Sequence, residues 1–93
     1  MEIKEQKTGK KGEFYIEENG DRVAVIQYFD SADGQITVYH TEVDASLRGQ
    51  GVGEDLVERV GKYARDENLK IVATCPYALK LIEGNGDFKS VLA

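Results

Sequence analysis

LRGQGVGEDLVERVGKYARDENLKIVATC, residues 47–75, contains the change of hydrophobic period on which the fold turns. Val52, Leu56, Val57, Val60, Tyr63 and Ala64 recur at the three- and four-residue spacings of one helical stripe. Glu54 and Asp55 fall in the first turn of that helix and Lys62 and Arg65 near its last, as the helix dipole favours. Asn68 can adopt the left-handed conformation that stops a helix, so the spacing predicts a helix over 51–67. Leu69–Cys75 then reads as a mostly buried strand, and Pro76 prevents its ladder from continuing. At the doorway of the helix, Gly49, Gly51 and Gly53 alternate behind Arg48, and that arrangement calls for a physical reason.

Working outward, the N-terminal half alternates in the way of strands. Phe14–Glu17 and Arg22–Phe29 flank Asn19-Gly20, a dipeptide suited to a type I′ hairpin turn. Ser31-Ala32-Asp33-Gly34 gives a second turn signal before Gln35–Val43, and Ile3–Lys7 adds an edge strand whose lysines discourage pairing with another chain. A strand, a helix and a further strand in this order make a right-handed crossover with parallel strands. The predicted fold class is therefore α+β: a mixed sheet with an antiparallel N-terminal meander, a βαβ unit and a short C-terminal helix begun by Pro76. That helix is expected to break at Gly84-Asn85-Gly86 and to be followed by a helical turn near Phe88–Leu92.

With 93 residues, 41% hydrophobic and 31% charged, the chain is expected to form one domain over 1–93. A domain of this size has little material with which to enclose a pocket, so a groove is the expected form of any site. The net charge of −5, from 17 acidic and 12 basic residues, argues against a general grip on nucleic acid. Lys4, Lys7, Lys10 and Lys11 are interleaved with Glu2, Glu5 and Glu13, the pattern of a solvated edge. The absence of an apolar leader or a membrane-length apolar run predicts a cytoplasmic protein without a membrane partner, a monomer or weak dimer. One cysteine and one histidine are too few for a structural metal site, and none is expected.

A helix start offers unpaired N–H groups and partial positive charge, and glycines let a phosphate approach the backbone without meeting a Cβ. With the cation of Arg48 beside them, Gly49–Gly53 describe a pyrophosphate cradle. The ATP-binding G-x-x-x-x-G-K-[ST] pattern fails, because no Lys-Ser/Thr pair follows Gly51 or Gly53. The dinucleotide G-x-G-x-x-G pattern fails too, because Glu54 stands where its third glycine belongs. Glu54 and Asp55 also count against a bound phosphate through like-charge repulsion.

Arg48-Gly49-Gln50-Gly51-Val52-Gly53 resembles the R-x-x-G-x-G/A acyl-coenzyme A motif of the GCN5-related N-acetyltransferases, matching it at Arg48, Gly51 and Gly53. The order of strands and helices is similar to that family's core along nearly the whole chain. HTEV (40–43), LRGQGVG (47–53) and TCPYA (74–78) look like its minimal, YjdJ-type branch of small acetyltransferase-like domains. The resemblance implies a GNAT-like fold in which acetyl-coenzyme A, as cosubstrate, enters between two splayed parallel strands. It implies backbone contacts at Glu42, Val43 and Leu47, with Arg48, Gly49, Gln50, Gly51, Val52, Gly53 and Tyr77 completing the cofactor-binding set. The implied reaction is transfer of acetyl to an amine, on a small molecule or a lysine or peptide, with the acceptor unidentified. The alternative is a module that binds coenzyme A or acetyl-coenzyme A with little or no transfer.

The family's usual proton donor is a tyrosine in a pattern like A-x-x-x-Y-x-x-x-G-F, and here Ala78 leads instead to Ile82, with Gly86 and Phe88 one residue out of step. Tyr77, Cys75 or water is left to replace it. Cys75 precedes a helix start, where a thiol can be acidified, and His40 is the chain's one imidazole and a candidate base. The expectation is that the catalytic pair Cys75 and His40 flanks the acetyl group, with Cys75 as acetyl acceptor or leaving-group acid. Structural readings stand beside it: cysteine is often a small buried hydrophobe, and Tyr77 and Tyr39 suit packing. His40 shares its strand parity with Ile36 and Val38, which makes it equally a core histidine.

Overall fold

Asn19 and Gly20 both take positive φ, 53° and 83°, so the chain reverses in the tight turn that a right-twisted hairpin requires. The computed structural model describes residues 2–93. Its strands are β1 (Lys4–Thr8), β2 (Lys11–Glu18), β3 (Asp21–Ala32), β4 (Gln35–Val43) and β5 (Lys70–Ala73), and its helices are α1 (Val52–Asp66) and α2 (Pro76–Glu83). Short 3₁₀ turns occupy Ala45–Leu47 and Lys89–Val91. The strands form one sheet in the order β1-β2-β3-β4-β5, antiparallel except for β4 and β5. The expected class, a meander followed by a βαβ unit and a short helix, is the class observed.

Several boundaries shift by one to three residues from the sequence expectation, and three of the differences alter local geometry. The second turn contracts to Asp33-Gly34, because β3 continues through Ser31 and Ala32 and Gly34 alone takes the positive φ, 71°. The segment before α1 is not an open loop: Asp44 caps a 3₁₀ turn by accepting from the Ser46 amide at 2.9 Å, and that bond holds the Asp44 carboxyl below its ordinary value. Finally, β5 stops at Ala73 rather than Cys75. The amides of Thr74 and Cys75 both turn to the single carbonyl of Val38, at 3.0 and 3.4 Å, which ends the ladder.

The helical stripe becomes one side of the core. Val52, Leu56, Val57, Val60 and Ala64 of α1 join Ala78 and Ile82 of α2 over Phe14, Ile16, Ala24, Ile26, Tyr28, Ile36 and Val38 of the sheet. Asn68 stops α1 at φ 56°, with the Leu69 amide reaching back to Ala64 at 2.7 Å and the Asn68 amide to Arg65 at 3.3 Å, the bond pair of a Schellman end. Phe88 is packed against Gly61, where an added Cβ would come within 2.7 Å of the ring. The C-terminus then lies beside β5 through an Ile71–Leu92 bridge.

One irregularity positions the site. Opposite residues of an antiparallel pair share a face. Val38 lies opposite Tyr28 and Thr41 opposite Ile26, whereas His40 lies opposite Gln27. Tyr39 is therefore an extra residue, a β-bulge, and the alternation of β4 reverses across it. The parity that joined His40 to Ile36 and Val38 in the sequence does not survive: Thr41 takes the core-facing side, and His40 is exposed with Gln27 on the other.

Candidate functional site

Because β5 pairs with β4 only from Gln35 to Val38, the stretch Tyr39–Val43 runs on without a β5 neighbour. Pro76 begins α2 at this point and carries the chain away, so the two parallel strands part. A groove of about 560 Å³ opens there, within the ~300–1,000 Å³ common for ligand sites. Its walls are Thr41, Glu42 and Val43 of β4, Leu47, Arg48 and Gly49 of the connecting loop, Gly51–Glu54 at the start of α1, and Tyr77 of α2.

The three glycines have two separate jobs. Gly49 and Gly51 have φ of 83° and 76°, and a Cβ on either would meet nothing within 4 Å, so backbone conformation rather than crowding excludes a side chain. They bend the loop so that α1 starts facing the groove. Gly53 has an ordinary φ, but a Cβ there would lie 2.1 Å from the Tyr77 hydroxyl, so a side chain fits only if the Tyr77 ring shifts. Gly51 is the N-cap and offers no side-chain cap, and the first helical bond is Asp55 N–H to the Gly51 carbonyl at 3.0 Å. The amides of Val52, Gly53 and Glu54 are left without a helical carbonyl at the edge of the groove.

Arg48 is the one Lys or Arg among the lining residues, and its Nε donates to the Val43 carbonyl at 3.4 Å. Leu47 is buried and anchors the loop. Gln50 turns away, its side chain donating to the Ser46 carbonyl at 3.3 Å, and does not line the groove. Glu54 does line it and brings an opposing charge. Burial pushes the Tyr77 phenol above its ordinary value, and the neighbouring Glu54 carboxylate adds to the rise, which keeps the phenol protonated.

Cys75 and His40 are not brought together. Cys75 is half-buried, and its Sγ donates to Thr41 Oγ1 at 3.7 Å, so Thr41, not Cys75, presents itself to the groove. His40 lies on the opposite face of the sheet with Nε2 3.3 Å from Glu42 Oε2, both side chains largely exposed. Thr41 was not singled out by sequence reasoning, and only the Tyr39 bulge turns it inward. Ile82, at the position of the family's tyrosine, is fully buried in the core and has no proton to give. Among the described residues no group of three or more His, Cys, Asp or Glu could hold a metal ion, and no helix is long and apolar enough to cross a membrane.

A mixed sheet whose parallel strands part beside a glycine-rich helix start is the framework of an acetyltransferase fold. The family described as GCN5-related N-acetyl-transferase matches residues 13–91, and the chain belongs to that family. It is 32% identical over 78 residues to Protein NATD1 of Xenopus tropicalis, covering 82% of this chain and 71% of that protein. Identity to Protein NATD1 of Gallus gallus is also 32% over 78 residues, with 82% and 70% covered. The solution structure of a GCN5-like protein from Staphylococcus aureus is similar at a TM-score of 0.74 and 35% identity, over 99% of this chain and 87% of that one. Tetrahymena GCN5 shares the fold at a TM-score of 0.67 and 15% identity, with 83% of this chain and 51% of that chain covered.

Proposed function

We propose that the protein is an N-acetyltransferase that binds acetyl-coenzyme A in the β4/α1 groove and passes the acetyl group to an amine. The observation that carries this reading is the set of free amides at Val52, Gly53 and Glu54, which open beside the guanidinium of Arg48. Helix-start amides and a neighbouring cation suit a diphosphate, and charge-assisted hydrogen bonds of this kind are the strong ones. Glu42 and Val43, paired with β3 but without a β5 neighbour, supply an open strand edge along which a pantetheine arm can lie. Leu47, Gly49, Gly51 and Tyr77 complete the walls, and Gln50 contributes by bracing the loop.

In the transfer, the amine nitrogen bonds to the thioester carbonyl carbon, the C–S bond breaks, the amine loses a proton and the thiolate gains one. Two candidate groups for these protons stand outside the groove lining, on opposite faces of the sheet. His40, backed by Glu42, is suited to take the amine's proton on the open face. Cys75, through the Thr41 hydroxyl that accepts its S–H, is suited to protonate the departing thiolate on the groove side. Because Thr41 stands between the thiol and the groove, proton donation fits this geometry better than acetyl capture by sulfur. Intact mass after incubation with acetyl-coenzyme A is expected to show no added acetyl group, and an acetyl adduct lost in Cys75→Ser would overturn the acid role in favour of a covalent one.

A second reading, a coenzyme A-binding module with little transfer, is favoured by the buried Ile82 where the family places its acid. Thermal melting with acetyl-coenzyme A, coenzyme A and ATP side by side tests binding itself. A ligand at 100 times its dissociation constant stabilises by about 2.7 kcal/mol, a rise of roughly 10 °C or more for a domain this small. The expected result is that shift with the two coenzyme A forms and none with ATP. Equal shifts with all three would reduce the groove to a general phosphate site. Binding without acetylation of polyamines, amino acids or lysine peptides would select the module over the enzyme.

A further inference from the structure

Gly53 is bare where Tyr77 needs the space. A Cβ built on Gly53 would lie 2.1 Å from the Tyr77 hydroxyl oxygen and 2.9 Å from Cζ, so the phenol rests against the first turn of α1. In an α-helix the Cα–Cβ direction leans toward the N-terminus. The phenol therefore stands on the side from which the amides of Val52, Gly53 and Glu54 are reached. Pro76 fixes the start of α2 and anchors the Tyr77 backbone, while Tyr77, 46% exposed, has open solvent into which its ring can turn. Glu54, on the same wall, adds a carboxylate to whatever opposes an incoming anion.

We propose that Tyr77 is a specificity-determining gate, its phenol holding the place of a ligand's diphosphate over Gly53 and rotating away when that diphosphate binds. The inference rests on the coenzyme A reading of the groove and adds to it a direction of effect. If Tyr77 were simply a wall that grips the ligand, truncating it would weaken binding. A gate predicts the reverse, and only for ligands that reach the amides. A phosphate-free pantetheine, confined to the β4 side, does not have to move the ring.

Dissociation constants of coenzyme A and of pantetheine, measured by calorimetry or by NMR titration on the wild type, Tyr77→Phe and Tyr77→Ala, decide the matter. Displacing one partly ordered side chain corresponds to about two- to tenfold in affinity, so Tyr77→Ala is expected to tighten coenzyme A by that factor. Tyr77→Phe should give a smaller gain, since it removes the atom nearest Gly53, and pantetheine should change by less than about twofold. The half-exposed ring makes either variant compatible with folding, which circular dichroism verifies. Coenzyme A affinity that falls in Tyr77→Ala, or rises equally for pantetheine, overturns the gate while leaving the groove's assignment standing. Failure of coenzyme A to bind the wild type overturns both.

Discussion

Arg48→Glu is expected to weaken acetyl-coenzyme A binding by roughly 100-fold or more while leaving the fold intact. Among the described residues Arg48 is the one Lys or Arg on the groove wall, and the acidic Glu54 lines the same groove with Asp55 beside it. The substitution removes a charge-assisted contact worth about 1.5–3 kcal/mol and places another carboxylate beside the bound phosphates. The combined loss, about 3 kcal/mol or somewhat more, corresponds to two powers of ten in affinity. The Arg48 Nε bond to the Val43 carbonyl is also lost, but it is exposed and long at 3.4 Å, so the melting temperature without ligand should move little. Calorimetry with acetyl-coenzyme A, paired with a melt of the free protein, separates the two effects. Unchanged affinity would remove the diphosphate reading of the cradle.

Leu56→Ala is expected to do the opposite: destabilise the protein by about 2–5 kcal/mol and change the ligand affinity of the folded fraction by less than about threefold. Leu56 is fully buried, one turn inside α1, in the cluster with Ile26, Ile36 and Val38. Truncation leaves a cavity between helix and sheet that close-packed neighbours refill only in part. For a chain of this size, each 1 kcal/mol corresponds to roughly 4–8 °C, so the midpoint should fall by about 8 °C or more. Thermal melts with and without acetyl-coenzyme A measure this. A midpoint within about 3 °C of wild type would mean that α1 is not held by that stripe. Together the two variants separate what positions the cradle from what occupies it.

The hairpin at Asn19-Gly20, the stop at Asn68 and the start at Pro76 were legible because each depends on the φ preference of one or two residues. The stripe from Val52 to Ala64 was legible because a helix repeats its own period. The groove was partly legible: the loop from Leu47 to Gly53 carries a recognisable spacing, and all of it but Gln50 lines the cleft. Thr41 was missed because strand parity counted from Ile36 assigns it to the wrong face.

The order of elements, the helix that crosses between β4 and β5, and the glycines that open the loop before it follow from the chain alone, because each is a property of neighbouring residues. Tertiary structure alone decided that His40 and Cys75 lie on opposite faces, that Thr41 fronts the thiol, and that Tyr77 fills the space beside Gly53. The reason is the single extra residue at Tyr39. A bulge is fixed by how two strands register against each other and not by the propensity of the residue that bulges, and once inserted it reverses every side chain beyond it.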